Sequence, residues 1–201
     1  MKIKETLVKI VAIALTVAYP MTGVAQFGAL GGIAKKAAGG GGEAVDGAGF
    51  LKQLTPGAVK FAKAYALYYE ALGSTEGATK LKVAAEQLER GGAVSKDQQG
   101  LLDSSRKEIA KVAKGSKPFD EAANAKWKEA NAMYTQGLGE WVVVSGLVSA
   151  ALANDPKAAL TNPELSLAAT MCVKGLKDLS GFIEISRAKT NENNEQKKAA
   201  Q

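Results

Sequence analysis

The stretch that decides the fold is GLGEWVVVSGLVSAALA, residues 137–153. From Trp141 to Ala153 it carries no charged side chain, and its only polar side chains are Ser145 and Ser149. A surface helix has one apolar stripe and one polar face, whereas a helix that is apolar on all sides is typical of one enclosed by neighbours. The apolar run is too short to cross a bilayer, which needs about 20 residues. The stretch therefore predicts a central core helix over about 138–153.

A tyrosine-rich segment comes earlier in the chain and also has helical periodicity. Phe61, Tyr65 and Tyr68 recur at spacings of three and four residues, which places them on one face of a helix. Pro56 suits the first turn of that helix, with Thr55 before it as the N-cap. Core packing is the usual role of such a face, but tyrosines can also line a ligand groove.

The last predicted helix is the most regular one. Asn162 and Pro163 mark its start, as N-cap and first helical residue. Beyond Arg187 the sequence is polar, which predicts a disordered tail over residues 188–201. Apolar residues repeat along the helix at alternating spacings of four and three, forming a seam: Leu165, Ala169, Cys172, Leu176, Leu179 and Ile183.

These patterns predict an all-α fold, because no segment alternates as a strand does. We expect an antiparallel bundle of five or six helices around the central apolar helix at about 138–153. The predicted domain limits are a signal peptide at 1–25, a flexible Gly-rich leader at 26–49, a helical bundle at 50–187 and the polar tail.

The first residues have the three parts of a secretory signal peptide. Lys2, Lys4 and Lys9 form a positive region, and residues 10–19 form a short apolar core. Small residues then precede Ala25, after which cleavage is expected. The sequence therefore predicts a periplasmic or secreted protein.

The segment at 26–49 is rich in glycine, with four in a row at 39–42. Such composition is typical of a flexible leader. A second hypothesis rests on Phe27, Leu30 and Ile33, which precede two lysines and could form a short interfacial or partner-binding segment. A signal followed by FG-x-LGG and a glycine run resembles a scattered set of uncharacterised exported helical proteins of Gram-negative bacteria. The resemblance covers the leader and the general helical character, and it implies no activity.

The amino-acid composition excludes several kinds of chemistry. The chain has no histidine and one cysteine, Cys172. Nucleophile–histidine pairs, histidine-ligated metals and an intrachain disulfide are therefore absent. The net charge of +6 is not gathered into a basic, aromatic-rich patch of the kind that binds nucleic acid. We expect no cofactor, no metal, no nucleic-acid partner and no enzyme activity.

Three hypotheses for function follow. The first is an exported interaction protein, such as an adaptor, chaperone or assembly component, that binds a protein partner. The second is a membrane-active or pore-forming protein that releases its apolar helix onto lipid. The third is a carrier of small apolar ligands. The sequence leaves the oligomeric state open. The candidate partner or ligand surface comprises Phe27, Leu30, Ile33, Tyr65, Tyr68, Tyr69 and Trp141.

Overall fold

The computed structural model describes residues 46–199, which are 87% helical and contain no strand. The predicted all-α fold is confirmed. The signal peptide and nearly all of the leader lie outside the described residues. The helices are α1 (Gly47–Ala71), α2 (Thr75–Glu89), α3 (Lys96–Gly115), α4 (Glu121–Asn154), the single turn α5 (Ala158–Thr161), α6 (Pro163–Thr170) and α7 (Leu176–Ala199), with a π-helical segment (Met171–Gly175) joining the last two into one run.

Helix α1 begins nine residues before the predicted start at Pro56. Asp46 is its N-cap, and the carboxylate accepts a hydrogen bond of 2.8 Å from the backbone N–H of Gly49. Pro56 lies inside the helix with its ring exposed. The prediction that Thr55 is the N-cap is wrong. Its buried hydroxyl instead lies 3.1 Å from the Leu51 carbonyl oxygen and 3.0 Å from that of Gly92.

Helix α4 is continuous through Gly137 and Gly139, the two glycines at which the sequence allowed a break. Near Gly137, the backbone of α4 passes close to the backbone of α1. A Cβ atom on Gly137 would lie 3.0 Å from the carbonyl oxygen of Gly57 and 3.0 Å from the ring of Phe61. The absence of side chains at Gly57 and Gly137 therefore lets the two backbones approach closely.

The helix with the widest buried surface is α1 rather than the apolar half of α4. Buried residues occur on most sides of α1. In α4, Val144, Val148 and Ala151 are buried, but Gly146 and Ala150 on the opposite side are exposed. The predicted enclosure of residues 138–153 is therefore present on one side only. Alanine and glycine fit both a covered and an uncovered face, so their apolar character did not reveal the difference.

Contacts between neighbouring helices set their directions. Gly57 lies against Gly137, and Tyr68 contacts Asn131, so residue numbers rise along α1 as they fall along α4. The hydrogen bonds between α4 and α7 also pair in reverse order. Helix α2 folds back on α1, where Lys63 is paired with Glu89 at 2.5 Å. Each of these three pairs of helices, α1 with α4, α4 with α7 and α1 with α2, is therefore antiparallel.

The final helical run differs from its predicted seam at two positions. Ala168 and Phe182 are buried where Ala169 and Ile183 were expected, and the latter two are half-buried. The predicted tail is corrected as well, because α7 continues to Ala199. Two residues of this polar stretch, Lys189 and Asn193, are buried and hold the C-terminal half of α7 to the bundle. The polar composition of the stretch gave no sign of them.

Candidate functional site

The three tyrosines predicted to line a partner or ligand surface lie in the core. Tyr65, Tyr68 and Tyr69 expose 4% of their surface or less. The ring of Tyr68 lies 4.5 Å from that of Trp127 and 5.3 Å from that of Phe182, measured between centroids. Helical spacing identifies one face of a helix but does not distinguish a core face from a groove. The structure places Tyr65 and Tyr68 in an aromatic core. Tyr69 is buried against Gly77 of α2, and its hydroxyl donates to the Glu108 carboxylate at 2.5 Å.

The hydroxyl of Tyr68 belongs to a partly buried hydrogen-bond network that the sequence did not predict. Its hydroxyl donates to the side-chain oxygen of Asn131, which also accepts from Ser186. The Asn131 amide donates to Thr190 at 3.1 Å, and the indole N–H of Trp127 donates to the Ser186 carbonyl at 3.2 Å. Burial raises the pKa of Tyr68 above its ordinary value. The network therefore joins α1, α4 and α7 through neutral groups.

One signal in the sequence could have indicated this network. Ser186 continues the helical spacing of the last seam three to four residues beyond Phe182 and Ile183, so a serine falls where an apolar residue is expected. Buried polar side chains need hydrogen-bond partners. A serine at such a position indicates a polar partner on the facing helix, although the sequence does not say which one.

Trp141, the fourth predicted surface residue in the described part of the chain, is also buried. It exposes 1% of its surface, and its indole N–H donates to the Leu54 carbonyl at 2.9 Å. Gly57 and Gly175 lie against the indole, each where a Cβ atom would overlap it. The indole is therefore held between α1 and the π-helical segment, and it offers no surface to a partner.

Two cationic side chains are buried in the part of the chain that the structure describes, and both hold helices together. The Arg106 guanidinium lies 3.0 Å from the Asp178 carboxylate and donates to the Asp178 carbonyl at 3.2 Å. The Lys189 ammonium donates to the Ser116 carbonyl at 2.9 Å and lies 5.0 Å from the centroid of the Phe119 ring. Lys189 thereby satisfies a carbonyl just beyond the end of α3, as a cation at a helix C-terminus does.

The described residues offer little chemistry of other kinds. Cys172 exposes 2% of its surface, and burial raises the pKa of its thiol to about 11, so it remains protonated near neutral pH. Among residues 46–199, no group of three or more histidine, cysteine, aspartate or glutamate side chains is placed to hold a metal ion. Two depressions open to solvent, one beside Thr79 and the other beside Asn124, and neither is lined by the tyrosines.

The feature that stands out is an uncovered apolar face. Val143, Gly146, Ala150 and Ala153 lie at spacings of three, four and three residues along α4, on the side away from α1. Val143 is half-buried and the other three are exposed. A Cβ atom on Gly146 would meet nothing within 4 Å. We call these four residues the outer face of α4; no charged side chain interrupts it.

Helix α4 is also long and apolar enough to cross a membrane, by length and composition. Its most apolar window has a mean hydropathy of 1.3, and 44% of that window is buried inside the bundle. The core helix of a soluble protein passes the same test, so this observation alone is weak evidence for a span.

The remaining predicted surface residues, Phe27, Leu30 and Ile33, lie outside the described residues. The site that the structure adds is therefore the outer face of α4, which the sequence had assigned to the core. Comparison with protein-family models, curated proteins and solved structures finds no match to this chain.

Proposed function

We propose that this protein is an exported, non-enzymatic interaction protein that binds a protein partner through the outer face of α4. The observation that supports the proposal is that Gly146, Ala150 and Ala153 form an exposed, charge-free row on a helix whose other side is core. Small residues at such spacings let another helix approach closely. The signal peptide predicted at residues 1–25 supports the proposal of a periplasmic or secreted location.

The chemistry of this face defines the partner it fits. From Val143 to Ala153 the face extends about 15 Å, or three helical turns. A charged group placed against it would lose its hydration without gaining an opposite charge. The partner is therefore a helix with an uncharged contact face of small or branched apolar side chains.

A non-enzymatic role is supported by the positions of the ionisable groups. Arg106 and Lys189 are engaged with helix backbone and carboxylates inside the bundle. The Cys172 thiol is buried and has a raised pKa, which disfavours the nucleophilic thiolate.

Site-specific crosslinking tests the proposal. A photoreactive residue at Ala150, in the cell that produces the protein, should form an adduct with a partner, and the same residue at Lys107 should not. Lys107 is also exposed on a helix but lies on α3. Gly146→Asp should remove the adduct while leaving the thermal midpoint within a few degrees. Equal adducts from both positions, or none from Ala150, would contradict the proposal.

The length and hydropathy of α4 favour a second candidate, a membrane-active protein. In that case α4 leaves the bundle and inserts into lipid. Dye release from anionic and neutral liposomes, at neutral and acidic pH, distinguishes the two. Membrane activity predicts release by the wild-type protein and loss of release in Ala150→Asp, whereas protein binding predicts no release under any of these conditions.

A further inference from the structure

The depression beside Asn124 lies where the start of α4 meets the C-terminal half of α7. Its volume is about 470 Å³, within the range of about 300–1,000 Å³ that is typical of small-ligand sites. The half-buried ring of Phe119 contributes to its wall and lies 5.2 Å from the ring of Trp127, measured between centroids. We call this depression the α4–α7 cavity, and the lining residues that matter to its chemistry are Pro118, Phe119, Asn124, Lys128, Asn193 and Gln196.

Two buried polar atoms of the cavity lining have no hydrogen-bond partner within the part of the chain that the structure describes. They are the amide nitrogen Nδ2 of Asn193 and the side-chain oxygen Oδ1 of Asn124. Asn193 exposes only 5% of its surface, and the two amides are not hydrogen-bonded to each other. Because buried polar groups in proteins are nearly always paired, these two atoms indicate a ligand that supplies one acceptor and one donor.

The orientation of the Asn193 amide is fixed by the backbone. Its Oδ1 accepts a hydrogen bond of 3.1 Å from the N–H of Phe119. Turning the amide over would place its NH2 group against that N–H, so that two donors would face each other. The unpaired atom of Asn193 is therefore a donor, and Oδ1 of Asn124 is the matching acceptor.

The charges around the cavity favour a neutral ligand. Asp120 is the N-cap of α4, and its carboxylate accepts a hydrogen bond of 2.7 Å from the N–H of Ala123. Asp120 and Glu121, which lies in the first turn, supply negative charge where the helix dipole is positive. Lys128 adds one cation to the lining. An anionic ligand would therefore meet two carboxylates and a single cation.

A ligand must move some side chains to reach the two unpaired atoms. Both atoms are covered from bulk water. Lys128 and Gln196 are long, exposed side chains of the lining, and exposed side chains change rotamer within nanoseconds. Hydrogen bonds that form with the two amides are then shielded from competing water, which strengthens them.

We propose that the α4–α7 cavity binds a neutral carboxamide that carries an apolar group. The ligand carbonyl accepts from Nδ2 of Asn193, the ligand N–H donates to Oδ1 of Asn124, and the apolar group packs on Phe119 and Pro118. Asn124 precedes Val143 by 19 residues, or about 30 Å along α4. The site is therefore separate from the outer face of α4 and does not depend on the proposed function.

Binding of a small amide tests the site. Phenylacetamide is the probe, and phenylacetate, in which a carboxylate replaces the carboxamide, is its matched control. In an NMR titration, phenylacetamide should shift the signals of the Phe119 backbone N–H and the Asn193 side-chain NH2. It should bind at least about tenfold more tightly than phenylacetate, because the carboxylate cannot donate to Asn124 and meets Asp120. The absence of these shifts, or equal binding of phenylacetate, overturns the proposal.

Substitutions distinguish a ligand site from a purely structural role. Asn124→Ala removes an acceptor that has no partner within the described residues, so the thermal midpoint should stay within a few degrees. The same variant should bind phenylacetamide about fivefold or more weakly. Asn191→Ala is the matched control, because Asn191 is exposed on α7 and does not line the cavity, and its binding should be unchanged. A lowered midpoint with unchanged binding in Asn124→Ala would show that Asn124 serves only the fold, which overturns the proposal.

A longer probe distinguishes two sources of the carboxamide. An acetylated tripeptide amide with a central phenylalanine offers the same group within a peptide backbone. If it binds more tightly than phenylacetamide and Asn124→Ala weakens both, the site takes a peptide segment. If it binds equally or more weakly while phenylacetamide still depends on Asn124, the site takes a free small amide. Binding of either probe that is insensitive to Asn124→Ala overturns the proposal.

Discussion

Among single residues, Gly57 and Gly146 both lie within helices but differ in whether a side chain would fit at their positions. A Cβ atom on Gly57 would overlap the Trp141 indole and lie 2.9 Å from the Gly137 carbonyl oxygen, whereas one on Gly146 would meet nothing within 4 Å. We expect Gly57→Ala to destabilise the protein by about 1–3 kcal/mol, as overpacking does. Gly146→Ala should stabilise it by up to about 1 kcal/mol through helix propensity.

Urea unfolding followed by circular dichroism measures both changes. A stabilised Gly57→Ala protein would mean that α1 and α4 are not in close contact at this level. Tryptophan fluorescence provides a control for each variant, because Trp127 and Trp141 are both buried and a spectrum close to that of the wild type shows that the two indoles remain so.

Cys172 gives a second prediction at this scale. Its burial and the raised pKa of its thiol both disfavour the exposed thiolate that reacts with maleimide or oxidants. We expect labelling in the native protein to be slower than in urea by several orders of magnitude, limited by opening of the fold. Mass spectrometry over time at pH 8 measures the labelling. Labelling at the same rate in both states would place Cys172 at the surface.

Among the helices, α4 should respond differently to a charge on each of its two sides. Val144 exposes 5% of its surface, so Val144→Asp places a charge in the core without a partner. The expected cost is about 3–5 kcal/mol, a large share of the stability of an ordinary domain. Ala150→Asp, on the outer face, should cost less than about 1 kcal/mol. The thermal midpoints of the two variants provide the measurement.

Equal loss of stability in both variants would show that α4 is enclosed on all sides, as its sequence alone suggested. Lys107→Asp serves as the solvated control, because Lys107 is exposed on α3.

The limits of prediction from this sequence also lie at the scale of helices. The spacing of Leu165, Cys172 and Leu176 placed them correctly in the core, because a repeat of three and four residues has one physical meaning in a helix. The start of α1 was missed because Asp46 lies in a Gly-rich segment. The glycine content of that segment predicted a flexible leader, although Asp46 is a favourable N-cap residue. The outer face of α4 was missed because small apolar residues fit both a core and a contact surface.

For the molecule as a whole, the buried tyrosines predict loss of stability at high pH. Burial raises the pKa of Tyr65, Tyr68 and Tyr134 above the ordinary value of 10.0. Above about pH 10 the unfolded chain releases these protons while the folded chain retains them, so the free energy of unfolding falls as pH rises. The Cys172 thiol acts in the same direction between its ordinary pKa of 9.0 and about 11.

Urea midpoints at pH 8 and pH 11 measure this effect, and absorbance near 295 nm reports tyrosine ionisation. We expect ionisation of the buried tyrosines to coincide with unfolding. A gradual ionisation near pH 10 with no change in the urea midpoint would show that the aromatic core is open to solvent.

The π-helical segment Met171–Gly175 has a consequence for the tolerance of this chain to changes in length. A π-helical turn contains one residue more than an α-helical turn. Because of this extra residue, α6 and α7 both turn a buried face toward the bundle. In an uninterrupted α-helix, the buried face of one would be rotated relative to that of the other. Deleting Val173 should convert the turn to α-helix while both halves retain their packing. Deleting Ser180, further along α7, would rotate every later side chain by about 100° and expose Phe182. The bundle can thus lose one residue at the π-helical turn and remain folded, whereas an equal loss one or two turns later would disrupt it.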